Sequence, residues 1–279
     1  MGVPRAGAMD LQSLDTLNAM LGNDPACAAV ECALSAGEFE FRASATFAVG
    51  GARGSLKLRG NDISHFQTQH ASQGDKLEVG APETWRFTYI AIGGGIALPT
   101  VMGSRSTYLP GQLGGLDGRR LKPGDEISVG RPPRRLRHQV SDSLPDVLRP
   151  RHDDIRIRFV PRGGVELAPE WKVSAASDRT GYRLEGGYPV SGASITSEPV
   201  CPGVIQVTPA GEAIVLMTDA PTVGGYLIAG AVISADLGRL AQKIPGSVIS
   251  FEAVTVEEAQ RAAGQDGERL ENVREWSLA

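Results

Sequence analysis

S-D-R-T-G-Y-R-L-E-G (177–186), S-E-P-V-C-P-G-V-I-Q-V-T-P-A-G (197–211), T-D-A-P-T-V-G-G-Y (218–226) and A-D-L-G-R-L-A-Q-K-I-P-G (235–246) are the segments that decide the reading of this chain. Glycine and proline stand at the ends of short β-branched runs, the pattern of strands closed by tight turns. Val204–Thr208 and Ala213–Thr218 flank P-A-G-E, which predicts a hairpin. Asp178, Arg179, Gln206 and Asp219 sit among these runs with too little helix around them to form a solvated helical face. The region reads as a β module whose polar residues require a role other than surface solvation.

Working outward, Ile155-Arg156-Ile157-Arg158-Phe159-Val160 alternates cleanly and predicts a half-buried strand. Trp85 to Ile92 alternates at first and then becomes continuously apolar before Gly93-Gly94-Gly95, as a strand does on entering a core and leaving through a sharp turn. Asp10 ahead of Leu11, Leu14, Leu17, Met20 and Leu21, with Gly22 behind them, spells a short amphipathic helix with a cap and a glycine stop. Asp236 to Lys243 reads as a second short helix ended by Pro245-Gly246. Thr255 and Glu258 have capping-box spacing and open a last helix through about Ala263. Residues 264–279 are expected to form a frayed, flexible tail. The basic, proline-rich residues 131–153 read as a linker. The expected division is therefore an N-terminal β module over 1–130, a linker over 131–153, a C-terminal barrel over 154–263 and the tail. With many strands, few helices and no β-α-β rhythm, the fold class is mainly β, built as barrels or sandwiches.

Composition limits the function. The 279 residues suffice to bury roughly 75% of the unfolded surface. Apolar content of 41% with 22% charged residues is that of a globular domain. A net charge of −4 gives no general attraction to nucleic acid or anionic membrane, and the Arg131–Asp153 cluster has no aromatic residues between its cations to stack on bases. Cys27, Cys32 and Cys201 fit neither a redox pair nor a zinc ribbon, and His65, His70, His138 and His152 lack metal-site spacing, so no metal is expected. No apolar run approaches membrane-spanning length, and the expected location is cytoplasmic.

The segments quoted above, with G-V-P-R-A-G-A-M-D (Gly2–Asp10), G-S-R-S-T (Gly103–Thr107) and G-G-L-D-G-R (Gly114–Arg119), resemble in order and content the family of 5-oxoprolinase C-type subunits (KipA), which includes allophanate hydrolase subunit 2. The resemblance runs from residue 2 to about 262. It implies two cyclophilin-like β-barrel modules with a few short helices, and further residues ahead of the G-V-P segment. It also implies action on a small amide: ATP-dependent opening of 5-oxoproline to glutamate, together with a KipI-like B-type subunit and a lactam-utilisation-type A-type subunit. Two alternatives share the resemblance. One is the carboxyltransferase part of a biotin-dependent urea carboxylase or allophanate hydrolase-type system; the other is a non-enzymatic antagonist that binds a KipI-like kinase inhibitor.

An amide or ureido oxygen gains negative charge in the transition state, so such chemistry needs fixed donors in a dry pocket and a base for a weakly acidic N–H. Asp219, following the apolar strand Ile214–Met217, is the candidate base. Gln206 is a candidate donor to the substrate carbonyl, and Tyr226 a candidate orienting group. Arg105 and Arg179 have the geometry to hold a carboxylate, Ser106 and Thr222 add hydroxyls, and Gly224-Gly225 reads as a turn bringing backbone N–H groups close. Where the resembled family has D-x-Q-T before the glycine pair and Y-P-K after it, this chain has Pro221 in place of glutamine and Leu227-Ile228 in place of proline and lysine. No P-loop, G-x-S-x-G elbow or dinucleotide fingerprint occurs in the sequence. ATP is therefore expected to be used by the complex in another manner or on another subunit, with no site identified in this chain, and any biotin to arrive on a partner carrier.

Overall fold

The computed structural model describes residues 2–34, 37–131, 143–163, 165–186 and 194–278. They form two compact units: Asp10–Pro150 with Gly267–Ala279, and Met1–Met9 with Arg151–Asp266.

The first of these units opens with α1 (Leu11–Met20), whose cap is Asp10: its carboxylate accepts the Ser13 N–H at 3.1 Å. Gly22, at φ 62°, turns the chain away behind the helix. Six antiparallel strands follow: β1 (Val30–Ala33), β2 (Glu38–Glu40), β3 (Ala45–Leu58), β4 (Asn61–Asp62), β5 (Gln69–Ala71) and β6 (Lys76–Ile92). β3 and β6 form one long antiparallel pair whose register slips between Gly51 and Leu56. The slip divides it into halves: β1 and β5 flank one, β2 and β4 the other. Phe47, Val49, Leu56, Leu58, Leu77, Val79 and Ile90 alternate along it into one core, each burial stabilising by about 1.5–3 kcal/mol. The expected first barrel is not a closed ring among the described residues. Among the described residues the sheet runs β1-β6-β3-β4, with β2 added on β6 and β5 on β3, and β1 and β4 do not pair with each other.

The other unit contains β7 (Arg156–Pro161), β8 (Glu170–Val173), β9 (Gly181–Glu185), β10 (Ser194–Pro199), β11 (Val204–Val207), β12 (Ala213–Leu216), β13 (Val223–Val232) and β14 (Val248–Ala253). Seven of them close a barrel in the order β13-β11-β12-β9-β8-β14-β7, with β7 returning to β13. β10 stays outside the ring, paired to the first half of β13. Ile157, Tyr182, Ile205, Val207, Val215 and Ile249 are fully buried, and the Tyr182 hydroxyl donates to the Ala241 carbonyl at the end of α2 (Ser234–Ala241). The β11–β12 hairpin and the β7 strand lie where the sequence predicts them.

Three boundaries differ from expectation. Residues 2–9 group with the barrel and not with the following strands. The predicted linker is partly ordered structure: residues 132–142 lie outside the described residues, but Leu144 is fully buried and Asp146–Leu148 is a 3-10 turn. The last helix, α3 (Val256–Leu278), does not stop near Ala263. Its capping box is present, with Thr255 N–H to Glu258 at 2.8 Å and Glu258 N–H to Thr255 Oγ1 at 3.2 Å. Gly264 and Gly267 lie within it, but Val273 and Ser277 are buried, and Arg269 donates to Thr16 Oγ1 and the Leu148 carbonyl. Tertiary contact outweighs the propensity cost of about 1 kcal/mol per glycine. No described helix is long and apolar enough to cross a membrane.

Candidate functional site

Ladder pairing of β9 with β12 (Gly181 opposite Leu216) sets two turns side by side, residues 178–180 and 217–220. The Met217 N–H donates to the Thr180 carbonyl and the Asp219 N–H to the Arg179 carbonyl at 2.9 Å. The same two residues meet through their side chains. Arg179 Nε donates to Asp219 Oδ2 at 3.0 Å and Nη2 to Oδ1 at 3.3 Å. Nη2 also reaches the Ala6 carbonyl at 2.8 Å and Thr218 Oγ1 at 3.4 Å. Asp219 is buried, and Arg179 is a quarter exposed at its side chain.

The G-V-P-R-A-G-A-M segment lies along these turns. The Gly2 N–H donates to Thr222 Oγ1, the Ala6 N–H to the Thr218 carbonyl, and Thr218 Oγ1 to Met9 Sδ, each at 3.0 Å. Ala6 is held at φ 59°, a left-handed conformation that costs an alanine about 1–2 kcal/mol. Its two backbone hydrogen bonds and buried methyl hold it there. Sequence reading missed Ala6 and Thr218 as site-shaping residues. The motif was visible, but its partner in the fold was not.

Gly224, Gly225 and Tyr226 are not a turn. They form the start of β13, with Gly224 opposite Glu198 and Tyr226 opposite Ser194 on β10, and neither glycine has left-handed φ. The two glycines differ. A Cβ on Gly224 would lie 2.3 Å from Gln206 Nε2 and 3.5 Å from Val200 Cγ1, whereas one on Gly225 would meet Ser197 Oγ at 3.3 Å and the Ile195 carbonyl at 3.4 Å. A side chain at Gly224 would displace the buried Gln206 carboxamide, whereas Gly225 is at the edge of ordinary contact.

Gln206 on β11 pairs with Ile214 on β12 and Ile228 on β13, on the face opposite the fully buried Ile205 and Val207. On that outer face Val200, Val204, Leu216, Ala220 and Ile228 form a small apolar cluster. Ile228, standing where the resembled family has lysine, is part of this cluster. Gln206 is only 6% exposed, and its Nε2 is buried without a hydrogen-bond partner among the described residues. Two members of the cluster lie beside candidate residues: Ala220 follows Asp219 in the chain, and Val200 Cγ1 lies 3.5 Å from a Cβ placed on Gly224. Tyr226 is exposed, as is Val223.

Arg105 and Ser106 belong to the other unit. Arg105 donates through Nε to the Leu98 carbonyl at 3.3 Å and through Nη1 to the Ala26 carbonyl at 3.1 Å, so its fork ties main chain to main chain. The Ser106 N–H donates to Ser104 Oγ in the expected turn after Gly103. In the same unit burial pushes the Cys32 thiol up to about 12, with Glu31 adding to it, and burial raises Cys27 as well; neither is a thiolate nucleophile at neutral pH. The chemistry available is thus a fixed carboxylate at Asp219 with the Thr218 hydroxyl beside it and, on β11, a buried amide donor at Gln206; burial strengthens such interactions.

The described residues thus form a mainly β chain with one closed barrel and a second sheet. The chain belongs to the family described as carboxyltransferase domain, subdomain A and B, whose model matches residues 1–253. It is 34% identical to the C-type subunit of 5-oxoprolinase from Escherichia coli K12, over 99% of this chain and 91% of that one. To the corresponding 5-oxoprolinase component of Haemophilus influenzae it is 32% identical, over 98% and 90%. The crystal structure of K. lactis urea amidolyase superposes with a TM-score of 0.87 at 28% identity, covering 100% of this chain and 19% of that much longer one.

Proposed function

We propose that this chain is the C-type subunit of a 5-oxoprolinase: within a hetero-oligomeric complex it helps open the lactam of 5-oxoproline to glutamate at the expense of ATP. The observation that carries the reading is the end-to-end correspondence in length and sequence with the C-type subunits of two 5-oxoprolinases. The partners are a KipI-like B-type subunit and a lactam-utilisation-type A-type subunit, in the cytoplasm, and ATP is bound on another subunit or in this chain by elements other than a P-loop. In this reading Asp219, oriented by Arg179, accepts the proton, and Gln206 donates to the lactam carbonyl. Thr222, Gly224 and Gly225 shape the wall, and Tyr226 stands at the exposed rim where substrate or a partner meets it. Arg105 and Ser106 are left as supports of their own loop.

The likeness to urea amidolyase favours a second reading, a biotin-dependent carboxyltransferase acting on urea, with biotin carried by a partner. Co-expression with neighbouring genes for the A-type and B-type subunits, purification of the complex, and assay of ATP-dependent glutamate release from 5-oxoproline test the first reading. Carboxylation of urea that requires biotin, with no glutamate release, replaces it by the second.

A further inference from the structure

We propose that Gln206 is a latent carbonyl-binding donor, kept under the first half of β13 and exposed to ligand only when the Pro221–Tyr226 stretch moves. The inference rests on the reading of the Asp219 cluster as the site and deepens it by naming the group that Gln206 receives: a neutral amide, lactam or ureido oxygen.

Three observations carry it. First, Gln206 Nε2 is sealed from solvent without a partner among the described residues, although burying an amide donor unpaired is costly and a leucine of similar size would fit the apolar cluster of Val200, Val204, Leu216, Ala220 and Ile228. A group that lowers stability where an apolar one would serve points to use elsewhere. Second, what lies against Nε2 is Gly224, whose missing side chain permits the contact. Third, the covering segment is lightly held. Among the described residues, and outside the barrel ring, it has three residue pairings to β10, with a register shift, and the Thr222 contacts to Gly2 and Val200. The surround is apolar, so a carboxylate there would lack a counter-charge, whereas a neutral carbonyl needs only the donor. Arg179 is already committed to Asp219 and Ala6.

Gln206→Leu and Gln206→Met, measured as the full chain and in the assembled complex, test this. Both remove the donor and fill the same space, methionine with more freedom to adapt. The expected result is a Tm raised by about 2–6 °C, with kcat/KM on 5-oxoproline lowered on the order of 10–100-fold. Unchanged kcat/KM in either folded variant overturns the proposal. A lowered Tm in both, or failure of both to fold, overturns it too, by making Gln206 a structural group. If the wild-type complex releases no glutamate, the 5-oxoprolinase reading fails separately. The inference is then judged on the Tm and on urea as substrate, where the same loss is expected.

Discussion

Arg179 and Asp219 form a two-point ion pair, Nε–Oδ2 3.0 Å and Nη2–Oδ1 3.3 Å, between the turns that follow β12 and precede β9. The Asp219 side chain is 4% exposed and the Arg179 side chain 25%. The carboxylate is fixed in direction, and the same guanidinium anchors residues 2–9 through Ala6. A base held this way has its geometry set before substrate arrives.

Asp219→Asn therefore has two effects. It uncouples a largely buried pair, lowering stability by about 2–3 kcal/mol once the exposure of Arg179 is discounted. It also abolishes turnover of the complex while assembly with the partners persists. Denaturant titration and co-elution, run beside the activity assay, check both. Retained turnover assigns the carboxylate to the turn alone.

The glycine pair gives a contrast. Gly224→Ala drives a methyl into the Gln206 carboxamide and is expected to cost about 1–3 kcal/mol, with activity reduced. Gly225→Ala, in extended backbone with contacts near 3.3 Å, is expected to change stability by less than about 1 kcal/mol. Equal effects at both positions contradict the assignment of the close contact with Gln206 to Gly224.

Arg105→Lys removes a planar fork that joins the Leu98 and Ala26 carbonyls. A lysine reaches one of them, so stability falls by about 1 kcal/mol and Tm with it. The turnover number of the folded variant stays near wild type. A large loss of turnover with unchanged Tm restores Arg105 as a substrate clamp.

His65 supplies a pH test. Its Nε2 lies 3.0 Å from the Gly54 carbonyl oxygen. Burial pulls the imidazole below its ordinary 6.5, outweighing the contact with Gly54, and Arg53 and Arg149 push the same way. Because the folded value lies below the unfolded one, the stability tied to neutral His65 is present above about pH 6.5 and is lost as pH falls through the folded value. Denaturant midpoints between pH 8 and pH 5 should decline more steeply for wild type than for His65→Gln. Parallel curves remove His65 as the cause.

The elements with strong local signals were legible: α1 from its Asp10 cap and Gly22 stop, β6 from Trp85–Ile92, the β11–β12 hairpin from P-A-G-E, and the Thr255–Glu258 box. The length of α3 was not, because Arg269, Val273 and Ser277 gain their meaning from what they touch. Nor was the glycine pair: Gly-Gly before tyrosine is written identically in a turn and in a strand that must pass close to another side chain.

The sequence by itself determined a mainly β chain, its family, and the residue types around Asp219, since periodicity, turn residues and motif order are local and additive along the chain. Tertiary structure decided which barrel closes, that residues 2–9 lie along the Thr218–Thr222 turn, that Arg105 holds main chain while Arg179 holds Asp219, and that Gln206 is buried beneath Gly224. Those outcomes depend on strand register and on contacts between residues as far apart as Gly2 and Thr222. Ladder pairing and close packing select them only when the whole unit is assembled.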